Sequence, residues 1–140
     1  MKSVATSRCQ PGDDMSPTRC IQRPGTATAV HDVSDGGLLI ALAEMAIASG
    51  IGAQLLAAPS STVPHAYWFG EDQARYIVTV AAADAGLVLA KMKGAGVPCA
   101  RIGTTGGDAI AVAGEGQVAV NSLQSAFEQW LPAYMNGKTS

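Results

Sequence analysis

Arg75-Tyr76-Ile77-Val78-Thr79-Val80 is followed closely by an alanine-rich run, residues 83–95, that ends in Lys91-Met92-Lys93-Gly94-Ala95. The first run is rich in β-branched and aromatic residues and reads as a strand. The second reads as a helix with Leu87, Leu89, Ala90 and Met92 as its apolar positions. Asp84 falls in its first turn and Lys91 and Lys93 in its last, a charge order that complements the helix dipole. Gly94 and Gly96 end it, and Pro98 blocks continuation. A strand resumes at residues 99–103, so this stretch is expected to form a β-α-β unit.

Upstream the theme repeats. Residues 26–31 are short, partly β-branched and follow Pro24-Gly25, which predicts a buried strand. Ser34-Asp35-Gly36-Gly37 then opens a helix in which Leu38, Leu39, Leu42, Met45 and Ala46 recur at helical spacing, with Gly50 as the stop. Residues 51–56 resemble a second strand, and 57–66 a loop containing Pro59 and Pro64. Downstream, strands are expected at 109–113 and 117–120, then a helix capped by Asn121 or Ser122 that stops near Pro132. The predicted fold class is α/β: a mixed sheet with helices packed on it, and two β-α-β units of ferredoxin-like character. Residues 1–25, with the breakers Gln10-Pro11-Gly12-Asp13-Asp14 and Arg23-Pro24-Gly25, show neither period and are expected to be a disordered or unrelated leader. The domain is placed at 26–140.

Hydrophobic residues make up 48% of the chain and charged residues only 14%, against about 25% charged in a typical soluble domain. A surface so poor in charge points to partial cover by another domain, or to self-association through exposed apolar surface. The net charge of −2 supplies no basic stripe for nucleic acid and no polybasic membrane patch. Cys9, Cys20 and Cys99 form no CxxC pair, which favours a reduced, cytoplasmic setting. The apolar stretch 38–49 is broken by Glu44 and is too short to cross a bilayer. No GxSxG, HExxH or P-loop is present.

Three segments could carry chemistry. His31-Asp32-Val33-Ser34-Asp35-Gly36-Gly37 lies between a strand and a helix start, where free N–H groups and the dipole suit phosphate. The glycines allow close approach, and Asp32 and Asp35 could hold Mg²⁺. Asp35 as N-cap and Gly36-Gly37 as a packing requirement explain the same residues without a ligand. Glu71-Asp72-Gln73, with Arg75, could bind a hydroxyl, an amide or a metal at a strand entrance; the alternative is a solvated turn with Arg75 paired to Glu71 or Asp72. Gly103-Thr104-Thr105-Gly106-Gly107-Asp108 reads as a tight β-connection, because no helix follows it. Cys99 reads as core. Tyr67, Trp68, Trp130 and Tyr134 read as packing residues or anchors for a neighbouring domain.

Together and in order, Val30 to Leu38, Ala41-Leu42-Ala43-Glu44-Met45-Ala46, Phe69 to Tyr76, Ile102 to Asp108 and the ending Trp130-Leu131-Pro132-Ala133-Tyr134-Met135 resemble the last domain of the phosphoribosylformylglycinamidine synthases. The DxSDGG-type loop marks the wider superfamily, with aminoimidazole ribonucleotide synthetase and thiamine-monophosphate kinase among its members. The Phe-Gly-Glu-Asp-Gln-x-Arg element favours the synthase. The resemblance implies a purine-pathway ligase that uses ATP and Mg²⁺ to phosphorylate an amide oxygen, which ammonia from glutamine then displaces. It implies the remaining synthase domains and a glutaminase subunit or domain as partners. Phosphate or nucleotide contacts are expected at His31, Asp32, Ser34, Asp35, Gly36 and Gly37 from the place of that loop at a helix start, while most family residues assigned to ATP, metal and proton transfer lie outside the matching segments. Glu71-Asp72-Gln73 looks like the internal counterpart of a substrate-contacting Glu-Ser-Gln element, with Arg75 beside it. No catalytic residue is carried over, and the chain alone is expected to be inactive. The alternatives are a freestanding nucleotide-binding module and a non-catalytic assembly domain.

Overall fold

The computed structural model describes residues 2–8, 27–72 and 74–137. Among these, seven strands form one mixed sheet: β1 (Lys2–Arg8), β2 (Ala27–Val33), β3 (Ala53–Leu55), β4 (Arg75–Ala81), β5 (Cys99–Thr105), β6 (Ala109–Val112) and β7 (Gly116–Ala119). The helices are α1 (Gly37–Ser49), α2 (Pro64–Phe69), α3 (Ala85–Gly94) and α4 (Val120–Met135). The strand order is β2-β4-β1-β5-β3-β6-β7. Strands β4 and β5 both run antiparallel to β1 and are therefore parallel to each other, with β1 between them. The unit β4-α3-β5 is thus a split β-α-β. Strands β2 and β3, joined through α1, are likewise parallel and bracket that central trio. Strand β6 pairs parallel with β3, and β7 closes antiparallel. The expected α/β class with two β-α-β units is the architecture found.

The leader expectation is corrected at residues 2–8, which are an interior strand of the sheet, between β4 and β5. Ser3, Val4, Ala5 and Thr6 are 2%, 1%, 5% and 9% exposed. Both faces of β1 are covered, so its sequence has no reason to alternate. Its partners, Arg75–Ala81 and 99–105, lie far along the chain, and no local signal announces them. Residue 1 and residues 9–25 of the expected leader lie outside the described residues, as does Thr26.

The sheet separates two cores. On one face Val4, Leu38, Leu42, Leu55, Trp68 and Ile77 pack beneath α1 and α2, with Val120 of α4 joining them. On the other, Val78 and Val80 meet Val88 and Met92 of α3. The alternation of Ile77 against Val78 and Val80 is the period-two signature that makes β4 legible.

Three further expectations are corrected. Strand β2, expected to be buried, is the edge of the sheet, with Thr28, Ala29 and Val30 exposed. Part of the predicted loop 57–66 belongs to α2, which begins at Pro64; proline suits a first helical turn because its missing N–H would find no intrahelical partner there. Helix α4 starts at Val120 with Ala119 at the N-cap, not from Asn121 or Ser122, and runs through Pro132 to Met135. Pro132 sits near the end of an exposed helix, where water can satisfy the carbonyl it leaves unpaired. The far side of α4 shows Phe127, Trp130, Leu131 and Tyr134, each more than half exposed, with Trp130 stacked on Tyr134 at 5.6 Å. No helix of the described residues is long and apolar enough to cross a membrane.

Candidate functional site

The register that pairs Val33 with Arg75 brings the turns after β2 and before β4 to the same end of the sheet. Residues 31–37 and 69–75, separate in sequence, therefore meet. Gly36 and Gly37 have φ of 79° and 76°, a left-handed pair that only glycine adopts cheaply. The Gly37 N–H donates to the Ser34 carbonyl at 3.2 Å. The Gly36 N–H donates to Glu71 Oε1 at 2.9 Å.

This corrects the cap expected from Asp35. The N-cap is Gly36, which has no side chain, and α1 carries no side-chain cap from its own turn. Glu71 supplies the carboxylate from across the fold, where the helix dipole favours negative charge. Losing it in Glu71→Ala is expected to cost about 1 kcal/mol, the usual worth of such a cap. Urea unfolding should show a lower midpoint with an unchanged slope.

His31 is turned toward α1. Its Nδ1 lies 2.6 Å from the Asp32 carbonyl oxygen and its Nε2 3.6 Å from Glu44 Oε2, with 31% of the side chain exposed. Asp32, Ser34 and Asp35 are exposed at the same end. An anion entering there would compete with Glu71 for the Gly36 N–H.

Arg75 goes the other way. It is 8% exposed; its Nε donates to Thr6 Oγ1 at 3.3 Å and its Nη1 to the Tyr67 carbonyl at 3.2 Å. Its guanidinium carbon lies 5.0 Å from the centre of the Tyr67 ring, a cation–π distance. The expected pairing of Arg75 with Glu71 or Asp72 is not formed: no ion pair joins Arg75 to a carboxylate among the described residues. Glu71 is committed to Gly36, and burial of Arg75 follows from its place opposite Val33 on β4. Ala74, with φ of 58°, makes the sharp turn into the strand. Gln73 lies outside the described residues.

Arg75 also lines an open cleft of about 480 Å³, together with Thr6, Thr62, Tyr67, Asp72 and Cys99 among others. Burial raises the Tyr67 phenol above its ordinary pKa, the nearby Arg75 cation offsetting part of the rise. The phenol therefore stays protonated at neutral pH. Burial also raises the Cys99 thiol, which suits a packing residue better than a nucleophile. Thr6 and Tyr67 are site residues that sequence reasoning misses, because Thr6 lies in a stretch without pattern and Tyr67 reads as an ordinary aromatic.

The turn at 103–108 uses its backbone internally. Gly106 donates to the Gly52 carbonyl and Gly52 to the Gly107 carbonyl, both at 2.9 Å. Among the described residues, no group of three or more His, Cys, Asp or Glu side chains could hold a metal ion.

Residues 17–114 match the family described as AIR synthase related protein, C-terminal domain. The chain is 74% identical over 113 residues to phosphoribosylformylglycinamidine synthase subunit PurL of Bradyrhizobium sp. strain BTAi1, which covers 81% of the chain and 15% of that protein. Against the same subunit of Bradyrhizobium diazoefficiens it is 72% identical over 116 residues, covering 83% of the chain and 16% of the relative. The chain thus spans about 15% of the length of the curated relatives it matches. Among solved structures, PurL of T. maritima complexed with ATP superposes with a TM-score of 0.72 at 16% identity, over 88% of this chain and 25% of that one. Thiamine-monophosphate kinase of Stenotrophomonas maltophilia K279a gives 0.61 at 19% identity, over 82% and 51%.

Proposed function

The chain belongs to the AIR synthase related C-terminal domain family, and we propose that it serves as the C-terminal α/β domain of a phosphoribosylformylglycinamidine synthase. The complete enzyme would join formylglycinamide ribonucleotide, glutamine and ATP to give formylglycinamidine ribonucleotide. The observation that carries this reading is the 74% identity over 113 residues to a PurL subunit. The T. maritima protein of the same fold has been seen with ATP and with ADP, which supports ATP as the nucleotide of the assembled enzyme.

In this proposal the turn from His31 to Gly37 faces the nucleotide's phosphates in the assembled cleft, with Gly36 and Gly37 as the backbone surface. Glu71, Asp72, Gln73 and Arg75 face the substrate. Mg²⁺ would accompany the nucleotide, and no step assigned to this domain runs through it. This domain orients ligands, while the groups that move protons come from elsewhere, because catalysis needs several elements held in one geometry. The apolar stripe of α4 fits the same role. Phe127, Trp130, Leu131 and Tyr134 recur at helical spacing and stand exposed, as a surface meant for cover by the remaining synthase domains would be.

Mixing tests it. The chain is combined with a PurL subunit lacking the matching segment, plus ATP, Mg²⁺, ammonia and formylglycinamide ribonucleotide. Activity is expected only in the mixture. Turnover by the chain alone, or none in a mixture of folded parts, overturns the proposal.

A further inference from the structure

We propose that the open cleft lined by Arg75 is a binding site for a small organic anion, a carboxylate or a phosphate monoester, with the Arg75 guanidinium as its anchor. A guanidinium removed from water needs a counter-charge; the desolvation cost is several kcal/mol or more, and neutral acceptors repay it only in part. Arg75 is 8% exposed, and its partners among the described residues are a threonine hydroxyl, a backbone carbonyl, and the ring and phenol of Tyr67. None of these carries a negative charge. Nε and Nη1 are engaged and the Tyr67 phenol is a further partner, which leaves the remaining N–H groups of the planar fork to hold an anion's oxygen.

The rest of the lining refines the ligand. Thr6, Thr62 and Tyr67 line the cleft beside Arg75; their hydroxyls can donate to oxygens, and the raised Tyr67 pKa keeps the phenol a donor. Ala66, Pro98 and Ala100 form an apolar side, which suits an organic body more than a bare ion. Asp72 shares the lining, and its charge disfavours a polyphosphate. A singly or doubly charged oxyanion fits best.

The site is separate from the Gly36 N–H, which Glu71 holds. It deepens the substrate-facing role given above to Asp72 and Arg75, and so rests on that reading. Its test is a binding measurement on the 140-residue chain, so a failed mixing experiment would leave it untouched, and the reverse.

The experiment follows the Arg75 Nε–Hε signal by NMR in the wild-type chain, at constant ionic strength, titrating inorganic phosphate in one arm and acetate in another. A saturating shift of that signal, with the Thr6 and Ala100 amides, is the expected result. The arm that saturates at lower concentration identifies the class. Arg75→Lys should weaken binding at least tenfold, since an ammonium cannot offer the fork. Thr6→Val, which leaves the cation in place, should weaken it roughly threefold, the loss of one hydrogen bond that positions the guanidinium. An Arg75 signal that does not move, or moves without saturating, overturns the proposal. So does a saturating response confined to the Gly36 and Gly37 amides, which would put the anion at the start of α1.

Discussion

Gly37→Ala is expected to lower the free energy of unfolding by about 3 kcal/mol, from left-handed backbone strain of about 1 kcal/mol and a steric clash of about 2. Gly37 has φ of 76°, and an added Cβ would lie 2.6 Å from the Phe69 carbonyl carbon. That neighbour is backbone and cannot rotate away, so α1 or the turn before β4 must move. Gly50 provides the control: its φ is 67° and nothing stands within 4 Å of its Cβ position. Gly50→Ala should therefore cost only the backbone part, about 1 kcal/mol. Urea midpoints of the two variants separate clash from strain. Equal losses would mean that α1 does not press on the chain at Phe69. A larger loss for Gly37 would mean that the glycine pair exists to let the two polar turns touch.

The same contact shows how far the sequence can be read. His31 to Gly37 and Phe69 to Arg75 are each recognisable as polar turns beside regular elements, since glycine pairs and acidic clusters at such junctions have few uses. That Glu71 holds the Gly36 N–H is not legible, because 35 residues separate them and only the β2–β4 register joins them. Arg75 stands out by its charge, but a charge in a turn with Glu71 and Asp72 suggests pairing within that turn. Its burial depends instead on Thr6 and Tyr67, which come from β1 and α2. Neither element has a local signal. Strand β1 lacks alternation because it is covered on both faces, and α2 is one short helix opened by a proline that also reads as a breaker. By contrast β4, α3 and β5 keep their regular patterns and breakers, and these survive in the sequence.

Val4→Asp probes the least legible element and should have a larger effect than Gly37→Ala. Val4 is 1% exposed and shares a core with Leu38, Leu42 and Ile77. A carboxylate there would be buried with no partner, and the expected loss, about 4 kcal/mol or more, approaches the whole stability of many domains. At neutral pH the variant should show no cooperative unfolding transition. Burial raises a carboxyl pKa, so the folded form would bind the proton more tightly than the unfolded chain. Stability should thus be greatest below the unfolded carboxyl pKa, and be lost as pH rises through the folded value. Partial recovery of a transition on acidification would mark the lesion as a buried charge rather than a lost contact. Val4→Ala, which only removes methyl groups, should cost about 2 kcal/mol and leave the transition intact. If Val4→Asp matched the original chain in midpoint and slope, residues 2–8 would not be an interior strand, and Arg75 would lose the Thr6 hydroxyl that holds it at the cleft. The anion site and the fold's centre therefore stand or fall on the same seven residues.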